Sequence, residues 1–140
     1  MRIALCVSGN LGYEVLQHLA KQKHEIACVF TDKRSQDIIE WAKSKGAPLF
    51  IGNPRNSRGQ AFTEGHSVDL LLSVNYLFLI DKHLIEWPNM YAVNIHGSLL
   101  PKYRGRTPHV WAIINNEPKT GITAHLIDEG CDTGPIVEQV

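Results

Sequence analysis

Short, nearly continuous apolar runs alternate with helical patterns from the first residue onward, and this alternation constrains the fold most. The run "RIALCVS" (2–8) has the character of a strand buried on both faces of a parallel sheet. Gly9 and Gly12 break it, and "YEVLQHLAKQ" then places Val15, Leu16 and Leu19 at helical spacing. "EIACVFT" (25–31) predicts a second strand. Asp32 is the expected cap of the next helix, "RSQDIIEWAKSKG", which closes on Gly46.

The pattern continues with a weak third strand at 47–51 and a Gly-, Pro- and Asn-rich loop at 52–60. "VDLLLSV" (68–74) carries the strongest strand signal, and a short helix precedes it. A brief helix over 81–87 is stopped by Pro88, and "MYAVNIH" (90–96) is another strand. "TPHVWAIINN" (107–116) has Pro just inside its start, a favoured first-turn position. Strands over 120–128 and 135–140 complete the list. The β-α-β-α-β order predicts an α/β, Rossmann-like open sheet, mostly parallel and twisted, with helices on both faces and right-handed crossovers. A chain of 140 residues predicts one domain, 1–140. It stops inside a strand-like run, as a domain truncated at its C-terminal end or an unusually short domain would.

Fourteen basic residues balance fourteen acidic ones, which argues against a general nucleic-acid binder. No apolar run approaches the roughly 20 residues of a membrane span. The opening "MRIALCVSGN" reads as a first strand rather than a signal peptide. Cys6, Cys28 and Cys131 form no CxxC pair and suit reduced thiols. These features predict a cytoplasmic enzyme with no membrane partner.

The chemistry concentrates in "NIHGSLLPKYRGR" (94–106). Asn94 and His96 end a strand, and period-two alternation puts them on one side. In open α/β sheets ligands bind outside the carboxyl ends of the strands. Asp132 lies in the loop "DEGCDTGP", which can fold over His96. An amide donor, an imidazole and a carboxylate suit a reaction that builds an oxyanion: Asn stabilises charge, His stabilises it or moves a proton, and Asp orients the His. The plain alternative is a turn-forming Asn, a surface His and an Asx-turn Asp.

The stretch "NIHGSLLPKYRGRTPHVWAIINNEPKTGITAHLIDEGCDTGPIVEQ" closely resembles the folate-dependent N-formyltransferase family. That family includes enzymes acting on glycinamide ribonucleotide, methionyl-tRNA and nucleotide-linked amino sugars. The Asn-x-His, the SLLP run, the basic turn and the Asp-x-Gly close-out occur together and in order; residues 1–89 match more loosely. The resemblance implies that Asn94, His96 and Asp132 are catalytic and that 10-formyltetrahydrofolate is the formyl donor, with no metal. It implies a pterin pocket lined largely by backbone, between "SVNYLFLI" (Ser73, Val74, Asn75, Tyr76, Leu77 and onward) and "IDEGCD" (Asp128, Glu129, Gly130, Cys131). The reading from base rates alone makes Leu72, Val74, Leu77 and Leu79 core residues.

The resemblance also implies a primary amine as acceptor. "GSLLPKYRGRTP" resembles the tRNA- and sugar-acting branches, and "DEGCDTGPI" the purine enzyme. In the purine enzyme a Gly-Ser-Asn turn after the first strand binds phosphate; here Leu11, Gly12 and Tyr13 occupy that turn, though Gly9 and Asn10 at a helix start suit an anion. Ser98, Tyr103, Arg104 and Arg106 are the remaining candidate acceptor contacts, since planar guanidinium groups grip phosphate in two-pronged fashion. A small phosphorylated or nucleotide-linked, amino-sugar-like acceptor is expected. Nucleic acid is disfavoured, with tRNA left open, and a homodimer is left open too. Rival classes are a formyltetrahydrofolate hydrolase, a serine hydrolase using Ser98, a metal site from His96, His125 and Cys131, and a non-catalytic folate- or nucleotide-binding module.

Overall fold

A computed structural model describes all residues, 1–140. Seven strands form one sheet: β1 (Arg2–Val7), β2 (Glu25–Thr31), β3 (Leu49–Ile51), β4 (Leu70–Val74), β5 (Tyr91–His96), β6 (Thr123–Leu126) and β7 (Ile136–Gln139). Their order is β3-β2-β1-β4-β5-β6-β7. The first five are parallel, and β6 and β7 add antiparallel. This is the Rossmann-like sheet expected from the sequence, with its topological switch between β1 and β4.

The central strands are apolar on both sides because both sides are covered. One face packs Ala4, Cys6, Cys28, Phe30 and Leu71 against Phe62 of α3 (Ser57–Glu64) and Leu84 of α4 (Lys82–Glu86). The other packs Ile3, Leu5, Val7, Val29 and Val74 against Leu16 of α1 (Gly9–Ala20) and Ile38 of α2 (Gln36–Lys45). Burying a side chain of this size is worth about 1.5–3 kcal/mol. No helix is long and apolar enough to cross a membrane.

Three local expectations are corrected. Gly9 and Gly12 do not delay the first helix: α1 begins at Gly9, whose φ of 66° turns the chain directly from strand to helix. Gly12 lies against Val7, where a Cβ would sit only 3.0 Å from its Cβ, so small size is what α1 needs there. Asp32 is not the cap of α2, which Ser35 occupies; instead its carboxylate accepts from Arg34 N and from Ser35 Oγ. The expected loop 52–60 is cut short because Asn56 caps α3 through Gly59 N.

Candidate active site

β5 delivers Asn94 and His96 to one side of the sheet, as strand alternation requires. The pairing continues across neighbouring strands, with Ser73 of β4 and His125 of β6 both in register with Asn94. His96 is 6% exposed and His125 2%, so both rings sit where each nitrogen must find a partner.

Asp132 arrives from the loop after β6, and two features aim it. Asp128 Oδ1 accepts from both Gly130 N and Thr133 Oγ1, winding the loop around one carboxylate. The Thr133 hydrogen bond is the chief reason Asp128 is held below the usual carboxylate range. Gly134 packs against the Leu126 carbonyl so closely that a Cβ there would collide with backbone. Asp132 itself has φ 53°, a left-handed conformation rare for a non-glycine and costing about 1–3 kcal/mol.

The result is a convergence. Asp132 Oδ2 lies 3.6 Å from His96 Nδ1, and Asp132 Oδ1 accepts from Asn94 Nδ2 at 3.4 Å. Asp132 Oδ1 also lies 3.4 Å from His125 Nε2. His125 Nδ1 donates to the Leu126 carbonyl, which leaves Nε2 to accept from Asn94 Nδ2 at 3.2 Å. A strap over 103–105 completes the shell. The Tyr103 carbonyl accepts from His96 Nε2 at 2.7 Å, and Gly105 N donates to Asp132 Oδ2 at 2.8 Å. No group of three or more His, Cys, Asp or Glu side chains is arranged to hold a metal ion.

A polar trio with amide, imidazole and carboxylate can stabilise an oxyanion and shift a proton. A cavity of about 690 Å³ lies elsewhere, under the N-terminal ends of the strands near Arg2, Lys21, His24 and Trp41. It carries no such trio and lies at the end of an α/β sheet opposite to where ligands bind.

The sequence profile of the formyl transferase family matches residues 1–140. The chain belongs to the formyltransferase family. It is 34% identical to a methionyl-tRNA formyltransferase of Kosmotoga olearia, over 99% of this chain and 48% of that protein. Among solved structures it is similar to the phosphoribosylglycinamide formyltransferase of Bacillus halodurans, with TM-score 0.81 and 29% identity, covering 100% of this chain and 78% of that one. It is also similar to WlaRD, a sugar 3N-formyl transferase crystallised in the presence of dTDP and 5-N-formyl-THF, with TM-score 0.76 and 25% identity, covering 100% of this chain and 51% of that one. The chain spans about half the length of the curated relatives it matches.

In this member of the formyltransferase family the two segments expected to flank a folate are the end of β4 with the chain beyond it and the loop that carries Asp132. Ser73 and Val74 are buried at the end of β4. Asn75, at φ 54°, crosses the topological switch and donates from Nδ2 to the Ser8 carbonyl. Leu77 and Leu79 are not core residues: they are 49% and 69% exposed. The chain leaves the sheet after Val74, so the base rates that make apolar residues core do not hold for them. Tyr76, expected in the pocket wall, turns its ring against the core, and burial pushes its hydroxyl up. Glu129, Gly130 and Cys131 stay exposed.

The acceptor candidates divide. Ser98 is 1% exposed and its hydroxyl donates to the Lys102 carbonyl, so it shapes the turn and is neither a nucleophile nor an exposed contact. The Tyr103 hydroxyl is likewise committed, donating to Glu117 at 2.7 Å. Arg104 and Arg106 are exposed, and Arg106 Nη2 reaches the Leu77 carbonyl at 3.5 Å. Gly9 and Asn10 are exposed at the α1 N-terminus, where Gly9 N already donates to Ser35 Oγ. Two residues escaped sequence reasoning. His125 is expected from the sequence only as a metal ligand; the β5–β6 register is what puts it opposite Asn94. Glu117 follows the turn beyond α5 (Pro108–Ile114) and leaves no local signal.

Proposed function

We propose that this chain transfers a formyl group from 10-formyltetrahydrofolate to the primary amine of a small phosphorylated or nucleotide-linked, amino-sugar-like acceptor. The observation that carries this reading is the convergence of Asn94, His96 and Asp132 at the carboxyl end of β5. The amine nitrogen attacks the formyl carbon, a tetrahedral oxyanion forms, and the bond from that carbon to the folate nitrogen breaks. The products are a formamide and tetrahydrofolate, and the proton lost by the amine passes through water to the folate nitrogen. Asn94 and a protonated His96 hold the oxyanion, and Asp132 places the imidazole. Removing one such donor typically costs 10²–10³ in kcat, about 2.7–4 kcal/mol.

The exposed pair Arg104 and Arg106 supports a phosphorylated acceptor, because each can present a planar fork to phosphate. Methionyl-tRNA has support of its own in the likeness to the Kosmotoga olearia enzyme, and glycinamide ribonucleotide in the likeness to the Bacillus halodurans enzyme. The deciding experiment supplies 10-formyltetrahydrofolate with a nucleotide-linked amino sugar, glycinamide ribonucleotide or methionyl-tRNA, and follows tetrahydrofolate release. Release should depend on one amine and fall at least a hundredfold in Asn94→Ala and His96→Ala. Turnover that survives both substitutions sinks the mechanism; release independent of every amine makes the chain a hydrolase.

A further inference from the structure

His96 has two nitrogens with very different surroundings. Nε2 is only 2.7 Å from the Tyr103 carbonyl, a short hydrogen bond. Nδ1 faces Asp132 Oδ2 at 3.6 Å, beyond hydrogen-bond length, on the side where the Asn94 amide also meets Asp132. A carbonyl can only accept, so Nε2 carries hydrogen and is spent on the main chain. The nitrogen free to serve the reaction centre is Nδ1.

The Tyr103 carbonyl is aimed by a chain of anchors. Tyr103 sits at φ 56°, a left-handed conformation that persists in a non-glycine only where surroundings overdetermine it. Before it, the Lys102 carbonyl is gripped by buried Ser98 Oγ at 2.6 Å. Beyond it, Gly105 N holds Asp132. From the side, Tyr103 Oη donates to Glu117 Oε1 at 2.7 Å, and Lys102 Nζ lies 3.3 Å from Glu117 Oε2. The Glu117 carboxyl is held below its usual range, chiefly by the Tyr103 hydroxyl, so it is ionised and a strong acceptor at neutral pH.

We infer that Tyr103 and Glu117 are positioning residues: the Tyr103–Glu117 hydrogen bond holds the Tyr103 carbonyl on His96 Nε2, so that His96 acts from Nδ1. This takes Tyr103 out of acceptor recognition and gives Tyr103 and Glu117 a task in ring orientation. The kinetic part of the inference rests on the formyl-transfer reading; the structural part does not.

The test measures the ring directly. In the full chain labelled with ¹⁵N-histidine, the wild-type His96 Nε2–H should exchange slowly with solvent. Tyr103→Phe and Glu117→Ala should each speed that exchange about tenfold, the worth of one hydrogen bond. Glu117→Gln keeps an acceptor for the Tyr103 hydroxyl and should restore most of the protection. Tetrahydrofolate release should fall by a similar factor in the first two variants, in kcat with KM for the formyl donor unchanged. Exchange that is unaltered in Tyr103→Phe and Glu117→Ala overturns the inference. So does faster exchange with unaltered turnover. If the wild type releases no tetrahydrofolate, formyl transfer fails as a reading while the exchange comparison still decides the latch.

Discussion

His125 Nε2 lies 3.2 Å from the Asn94 amide nitrogen, across the antiparallel β5–β6 pair that sets the two residues in register. At rest the amide has both hydrogens engaged, one toward His125 and one toward Asp132 at 3.4 Å, so holding an oxyanion means exchanging one of these bonds for it. A carboxylate cannot donate, so Asp132 fixes the amide nitrogen toward itself, and His125 holds the second amide hydrogen. His125→Ala should lower the rate of formyl transfer about tenfold, the worth of one hydrogen bond, with the affinity for the formyl donor unchanged. Steady-state kinetics with the best amine checks this, and an unchanged kcat would remove His125 from the site.

Gly134 is where the Asp132 loop passes the Leu126 carbonyl, and a Cβ has no room there. Backbone cannot swing aside as a flexible side chain can. Gly134→Ala should therefore destabilise the fold by about 1–3 kcal/mol and lower turnover through Asp132. Urea unfolding curves give the first number. A variant as stable as the wild type would show that the loop relaxes freely.

The three thiols are far from equivalent. Cys6 and Cys28 are buried, and burial pushes Cys28 up to about 12 and Cys6 up as well. Cys131 is exposed with Sγ 3.7 Å from Asp132 Oδ2; desolvation first, then that carboxylate, push it up, with Arg104 opposing. Native protein should react with a thiol reagent at Cys131 alone, slowly at neutral pH, and at all three sites in denaturant. Peptide mapping after brief labelling reads this out, and early labelling of Cys28 would contradict it.

Asp32 contributes to stability with a definite pH dependence. Burial pushes its carboxyl up, but hydrogen bonds led by the Ser35 hydroxyl outweigh burial and hold it below its ordinary 3.8. A carboxyl lowered on folding stabilises fully above its unfolded value and loses that contribution as pH falls through the folded value. The stability gap between wild type and Asp32→Asn should thus be constant at neutral pH and shrink below 3.8. Unfolding measured from acid to neutral pH tests this; a gap that grows on acidification has the wrong sign.

Element order, the parallel core and the shared side of Asn94 and His96 were all legible before any coordinates. Each rests on short-range physics: apolar periodicity, strand alternation and the turn preferences of Gly and Pro. The capping of α2 was misread because Asp32 and Ser35 are both good caps and only the three-dimensional turn shows which one is used. Leu77 and Leu79 were misread because apolar composition cannot say where a strand ends and its burial stops.

The amino-acid order alone determined that an amide and an imidazole would share a strand end in an α/β sheet, and that a carboxylate would follow in a glycine-rich loop. Tertiary structure decided the rest. Sheet register set His125 beside Asn94, and a strap joined the Tyr103 carbonyl to His96. Packing of Gly134 and left-handed backbone at Asp132 turned the carboxylate onto both His96 and Asn94. The physical reason is separation along the chain: periodicity speaks for neighbours a few residues apart. Contacts spanning 31 and 38 positions depend on which strands pair and where loops are forced to pass.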